Sequence, residues 1–311
     1  MRAWQFTGVG FPLSSAELPD PQPGSDDLVI DVAASGLCHS DIGFMDGTIT
    51  SLLGHVPIVL GHEIVGTVSV VGSSVADFVV GDRVGIPATT DGPGTAMDGG
   101  YAEKVRVPAR LPVKLPDGLS FAEAAPATCS GRTAYRGVIT AGRVGVGMNV
   151  GVIGFGGLGY FGVQIAQAVG ATVYVGEINE ASWERARALG VAGCARDIRE
   201  FESVGLDVIV DFAGADGTLA SAVDAIRHGG RVVEVGLGVE TSSVSIQNIT
   251  MKEVRIVGAS NGTKEEARAI LELVSAGSVK PRIEEITLGD VPDGLDRLEH
   301  GRADARLVVV L

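Results

Sequence analysis

Short runs of β-branched and aliphatic residues mark the first third of the chain: LVIDVAA at 28–34, IVGTVSVVG at 64–72, VVGDRVGIP at 79–87 and YAEKVRV at 101–107. Gly, Pro, Asp and Ser turns separate them, and almost no apolar spacing of three to four appears, so this stretch predicts an all-β domain. After the prolines at 108, 112 and 116 the texture changes. Strands are predicted at 149–153, 172–176, 207–212, 231–236 and 254–259, with helices at 158–169, 181–189, 218–226 and 264–275 among and after them. Such alternation reads as a parallel, doubly wound α/β sheet. A last strand at 306–311 is expected to return to the β-rich part. The expected division is residues 1–126 with 264–311 for one domain and 127–263 for the other. No fixed-period repeat and no low-complexity linker interrupts the pattern.

Composition narrows the classes. A chain of 311 residues, 45% hydrophobic and 20% charged, can bury two cores without staples. Its 45 glycines fit many tight turns and close backbone approaches to a ligand. A net charge of -14 disfavours nucleic acid and anionic lipid as partners. The apolar runs at 28–36 and 64–72 fall short of the roughly 18 to 20 residues of a membrane helix, so no span is expected. The three cysteines, Cys38, Cys129 and Cys194, are scattered, and MRAWQF opens with no charged-then-apolar leader. A reducing cytoplasm is the expected compartment.

Gly154-Phe-Gly156-Gly157-Leu158-Gly159 follows an apolar strand and opens a helix, where free backbone N–H groups and the positive dipole end suit a pyrophosphate. G-x-G-x-x-G alone is a weak signal. It gains weight because the next strand ends in Glu177, 18 residues beyond Gly159, where a carboxylate can accept from the adenosine ribose hydroxyls. The same carboxylate would repel a 2'-phosphate, which favours NAD over NADP. Arg185, about two helical turns on, reads as a helix-surface charge.

A catalytic zinc needs three protein ligands and an open fourth position. Cys38 in GLCHSD, His62 in GHEIVG and Cys129 in ATCSGRTAY supply the residue types. Singly, each reads equally well as a small core cysteine or a hydrogen-bonded turn histidine. Together with Gly61-His62-Glu63, Gly66, Gly72 and Val75, and the Cys-His-Ser-Asp run at 38–41, they resemble the zinc-containing alcohol dehydrogenases of the medium-chain dehydrogenase family over nearly the whole chain.

That resemblance implies a GroES-like catalytic domain and a Rossmann NAD-binding domain. It implies zinc on Cys38, His62 and Cys129, with Glu63 beside it as an occasional exchange ligand. Ser40 would receive the substrate hydroxyl proton, Asp41 would orient His62, and His39 would sit near the cofactor phosphates. Thr133 and Leu158 match positions flanking the nicotinamide, and Arg306 a pyrophosphate-binding arginine. The implied activity is reversible oxidation of a primary or secondary alcohol to an aldehyde or ketone with hydride transfer to NAD, by a homodimer or homotetramer joined through the sheet edge at 254–258.

The chain departs from the family in three places. Many relatives hold a second, structural zinc on four clustered cysteines, but 86–100 here reads IPATTDGPGTAMDGG, so one zinc per subunit is expected. Gly43 stands where some members place a relay histidine. Ala88 replaces a bulky aromatic of the pocket wall, which points to a bulky or aromatic alcohol in preference to ethanol; other side chains filling that space would cancel the effect. His55, His228, His300 and Cys194 are expected to be structural. Two other functions remain open: NAD(P)H-dependent reduction of quinones, activated C=C or iminium bonds, and a non-catalytic dinucleotide sensor. The full ligand set and Glu177 count against the zinc-free reductases, and Ser40 beside that set against a sensor.

Overall fold

The computed structural model describes every residue, Met1–Leu311. It divides into two compact units, Met1–Cys129 with Thr263–Leu311, and Ser130–Gly262. In chain order the first stretch holds β1 (Arg2–Phe6), β2 (Ser14–Glu17), β3 (Asp27–Gly36), α1 (His39–Asp46), β4 (Ile58–Val59), β5 (Glu63–Val71), β6 (Arg83–Ile86), β7 (Lys104–Pro108), β8 (Val113–Lys114) and α2 (Phe121–Pro126). The middle holds α3 (Arg132–Tyr135), β9 (Asn149–Ile153), α4 (Gly157–Ala168), β10 (Thr172–Gly176), α5 (Trp183–Ala188), β11 (Gly193–Ala195), β12 (Leu206–Asp211), α6 (Thr218–Ala225), β13 (Ile226–Glu234), α7 (Ile246–Met251) and β14 (Arg255–Gly258). The tail adds α8 (Lys264–Ser275), β15 (Ile283–Ile286), α9 (Val291–Glu299) and β16 (Arg306–Val310).

The first unit is built on a seven-stranded sheet in the order β15-β16-β3-β5-β6-β8, with β7 also paired to β3, and a small sheet in the order β2-β1-β4. β16 pairs antiparallel with β3, so the tail completes this sheet. Leu28, Ile30 and Val32, alternate positions of β3, join Ile64, Val68, Val84 and Val105 in one core, as a period of two requires. A second core gathers Phe6, Leu37, Phe44, Ile58, Leu60, Tyr101, Leu295 and Val309.

This unit is not all-β. α1 follows β3 directly, and its eight residues are too few for helical periodicity to show. α9 adds a second helix, which buries Val291 and Leu295, one turn apart, together with Gly294.

The second unit is one fully parallel sheet in the order β11-β10-β9-β12-β13-β14. The order reverses beside β9, whose C-terminal end opens the crevice where ligands of such sheets bind. β9, β10 and α8 match their expected bounds. β13 begins five residues earlier than 231, and α5 is shorter than expected because a 3-10 turn, Glu180–Ser182, precedes it.

The division between the units falls at 129/130 rather than 126/127. α2 ends at Pro126 and passes directly into the π-helical turn Ala127–Gly131, so no extended linker marks the crossing, and Cys129 stays with the first unit.

Candidate active site

Three segments carry the metal-site residues. Cys38 is the residue that precedes α1, at the end of the strand β3 and its Leu37 extension. His62 lies in the turn into β5, after Gly61 in the left-handed region at φ 88°. Any Cβ on Gly61 would come within 2.6 Å of the Tyr101 ring, so the turn needs glycine on both counts. Cys129 sits in the wide π-helical turn after Pro126, whose missing N–H already breaks the α-helical ladder.

These segments bring the donor atoms of Cys38, His62 and Cys129 within 4.8 Å of one another. Tetrahedral zinc at its usual bond lengths holds such donors about 3.5 to 3.8 Å apart, so the group needs little adjustment to close on an ion. Asp41 fixes the histidine. Its Oδ1 lies 3.2 Å from His62 Nδ1. A carboxylate only accepts, so Nδ1 carries the proton and Nε2 is the nitrogen left for a metal. Both side chains are buried. Asp41 Oδ2 also accepts from the Cys38 backbone N–H at 3.1 Å, which ties two candidate ligands to one carboxylate.

The electrostatics agree with a cation site. Cys129 donates a hydrogen bond that holds the Cys38 thiol well below the usual thiol range, although burial opposes this. The same bond, with burial, raises Cys129. Burial would lower the His62 imidazole, but Asp41 and the two cysteine sulfurs raise it well above its ordinary value. Negative potential is thus concentrated at the point where the three donors meet.

The other expected residues divide between this cluster and the second unit. Ser40 Oγ is 3.8 Å from Cys38 Sγ, half-buried in the first turn of α1. His39 beside it is exposed. Glu63 is fully buried, and Arg306 at the start of β16 donates Nη2 to its Oε1 at 2.5 Å. Burial raises the Glu63 carboxyl to about 7, and the guanidinium opposes that rise. Gly43 lies in α1, and Ala88 is buried just after β6.

In the second unit the Gly154–Gly159 turn connects β9 to α4. A Cβ on Gly159 would sit 1.9 Å from the Gly154 carbonyl oxygen, whereas one on Gly156 would meet nothing within 4 Å. The helix thus packs tightly on the turn while the backbone before it faces open space, the cradle a pyrophosphate needs. Glu177 accepts from Phe155 N–H and from Asn179 N–H, each at 2.7 Å, which fixes its carboxylate across the turn. Leu158 and Thr133 are half-buried, on the first turn of α4 and on α3, which packs against α4. Arg185 is half-buried on α5 and donates to Ser182 Oγ, in the turn before that helix, at 2.6 Å.

Sequence reasoning missed Tyr101. Its place in the sequence marks it only as the first residue of a strand run, yet it is fully buried and its hydroxyl donates to Asp41 Oδ2 at 2.7 Å. A tyrosine after two glycines was the available signal; a buried hydroxyl requires a partner, but the partner is 60 residues away.

Two family models match the chain: the alcohol dehydrogenase GroES-like domain over residues 24–117 and the zinc-binding dehydrogenase domain over 157–276. The chain is 32% identical over 326 residues to an alcohol dehydrogenase of Geobacillus stearothermophilus, with 96% of each chain covered. It is 33% identical over 346 residues to an NAD-dependent alcohol dehydrogenase of Saccharolobus solfataricus, with 100% of each covered. Its structure matches the alcohol dehydrogenase of Aeropyrum pernix at a TM-score of 0.88 and 29% identity, over 100% of both chains.

Proposed function

This chain belongs to the zinc-type alcohol dehydrogenases of the medium-chain dehydrogenase family, and on that premise we propose that it oxidises a primary or secondary alcohol with NAD at a single zinc held by Cys38, His62 and Cys129. It is an oxidoreductase of the alcohol dehydrogenase class. The observation that carries the site assignment is the meeting of those three donors within 4.8 Å, backed by the Asp41–His62 hydrogen bond. Two cysteines and one histidine form the ligand set that catalytic zinc takes in alcohol dehydrogenases generally. When bound, zinc supplies Lewis-acid polarisation of the substrate oxygen and NAD supplies the hydride acceptor.

The chain's own residues do the rest. Asp41 holds His62 in the tautomer that presents Nε2. Ser40 Oγ, next to Cys38, takes the substrate hydroxyl proton and passes it outward. Alcohol oxidation releases one hydride and one proton, so this route removes the second product of each turnover. Glu63, buried and paired with Arg306, would serve as an exchange ligand, and His39 and Arg306 would be the basic residues for the cofactor phosphates. Gly154, Gly156, Gly157, Leu158 and Gly159 would hold the pyrophosphate and Glu177 the ribose hydroxyls, and Thr133 and Leu158 would flank the nicotinamide. The fixed Glu177 carboxylate favours NAD, because it would repel the like-charged 2'-phosphate of NADP.

One ion per chain is our reading, because Cys38, Cys129 and Cys194 cannot supply the four clustered cysteines of a structural zinc lobe. The alignment with the Saccharolobus enzyme runs longer than the 311 residues of this chain, which is consistent with a missing lobe. Ala88 favours a bulky or aromatic alcohol. β14 ends its sheet with one side unpaired and Ile256 exposed, and a homodimer or homotetramer would cover that edge. No helix is long and apolar enough to cross a membrane, and a cytoplasmic location with a small-molecule substrate is the reading we adopt.

The test measures zinc content and NAD reduction on one purified sample, across alcohols from ethanol to benzyl and secondary alcohols. About one zinc per chain, with NAD-dependent activity that a chelator removes, is the expected result. Absence of zinc together with NADPH-dependent reduction of quinones or enones would overturn it.

A further inference from the structure

Asp41 is the point where three segments of the first unit are tied together. It is fully buried, and its two oxygens take three donors: His62 Nδ1 at 3.2 Å on Oδ1, and the Cys38 N–H at 3.1 Å and the Tyr101 hydroxyl at 2.7 Å on Oδ2. The Tyr101 bond is the shortest of the three. Tyr101 is itself immobilised through its backbone, which donates to Leu60 O at 3.0 Å and accepts from Trp4 N–H at 2.9 Å. Its ring fills the space over Gly61 that a Cβ would otherwise occupy.

The glycine-rich segment leading to Tyr101 reinforces the same turn. Val59 N–H donates to Asp98 Oδ1 at 2.8 Å, Gly99 N–H to Val59 O at 2.8 Å, and Gly100 N–H to Gly61 O at 2.7 Å. A Cβ on Gly94 or Gly99 would strike Gly61 O at 2.5 and 2.3 Å, so this segment lies flush against the backbone that presents His62. The residues from 94 to 100 therefore hold the ligand turn from outside, and Tyr101 reaches the ligand ring through Asp41.

We infer that Tyr101 is a positioning residue for the metal centre: its hydroxyl locks the Asp41 carboxylate, and through it the His62 imidazole, in the orientation a metal ion requires. The inference rests on the zinc reading of Cys38, His62 and Cys129. Groups that orient a metal-bound imidazole through its other nitrogen change metal affinity about ten- to hundredfold when removed, and a phenol on the orienting carboxylate acts along the same chain.

The test uses the full chain loaded with zinc or with cobalt. Tyr101→Phe keeps the ring over Gly61 and removes only the hydroxyl. Competition against a chelator of known affinity is expected to show zinc bound about ten- to hundredfold more weakly, and the cobalt visible spectrum to shift, because ligand geometry has changed. A role confined to packing would lower thermal stability and leave both readouts where they were. Asp41→Asn is the second variant. If Tyr101 acts through Asp41, the Asp41→Asn/Tyr101→Phe double variant loses little more affinity than Asp41→Asn alone. Unchanged zinc affinity and cobalt spectrum in Tyr101→Phe, or losses that simply add, would overturn the inference while leaving the zinc reading intact. A wild-type chain that holds no zinc would overturn both.

Discussion

Glu63 and Arg306, 243 residues apart in the chain, form a buried ion pair in which Nη2 lies 2.5 Å from Oε1. Neither side chain has much access to water: the Glu63 side chain is 0% exposed and that of Arg306 10%. The pair joins the first residue of β5 to the first of β16, immediately after His62. Removing one partner of a buried pair is far more harmful than replacing both, because the remaining charge has lost its compensation.

Arg306→Ala should therefore destabilise the chain by about 3 to 5 kcal/mol in urea unfolding, and Glu63→Gln/Arg306→Met by clearly less. Equal losses in the two would show that the pair is not the source of the effect.

Cys38→Ser should remove both zinc and turnover, since the remaining two ligands fall short of the three a catalytic site uses. Metal analysis and NAD reduction on the same preparation decide it. A metal-free Cys38→Ser protein that still oxidises alcohols would exclude the proposed chemistry.

Glu177→Ala deletes the carboxylate that joins Phe155 N–H to Asn179 N–H and that is proposed to take the ribose hydroxyls. Hydrogen bonds to a charged group are worth about 1.5 to 3 kcal/mol, so the KM for NAD should rise about ten- to hundredfold while NADP use suffers less. A KM for NAD that stays within twofold of wild type would count against Glu177 as a cofactor contact.

Glu234, at the C-terminal end of β13, faces Asp211 across the parallel pair, and neither of its oxygens has a hydrogen-bond partner. Burial, with the Asp211 charge adding to it, raises its carboxyl to about 8. An acid raised in this way holds its proton more firmly folded than unfolded, so stability falls as pH climbs from about 4.5 toward about 8 and levels off beyond. Thermal unfolding between pH 5 and 9 should show that fall, and Glu234→Gln should flatten it. An identical pH profile in the variant would assign the fall to other groups.

The β-branched runs that form β3 and β5 and the change of texture near residue 116 were legible because they are local. So was the glycine turn with Glu177 at the end of the next strand, since its spacing is set by a single βαβ unit. The candidate ligands Cys38, His62 and Cys129 could be named as residue types, and their grouping came from family resemblance rather than from spacing.

What only the tertiary structure decided are the contacts between segments far apart in the chain. α1 is too short to carry a period, and its place in a β-rich unit is fixed by Cys38 and Asp41 bonding across its first turn. The crossing between the units lies in the π-helical turn that follows Pro126, with no extended linker to mark it. Arg306 was legible as an arginine near the C-terminus but not as the partner of Glu63. Tyr101 was legible as an aromatic after two glycines but not as the hydroxyl on Asp41. Sequence by itself determines backbone preference, because that depends on neighbours along the chain. Which buried polar group meets which is set by the sheet that brings β3, β5, β7 and β16 side by side, because a buried donor or acceptor must be satisfied by whatever the fold places next to it.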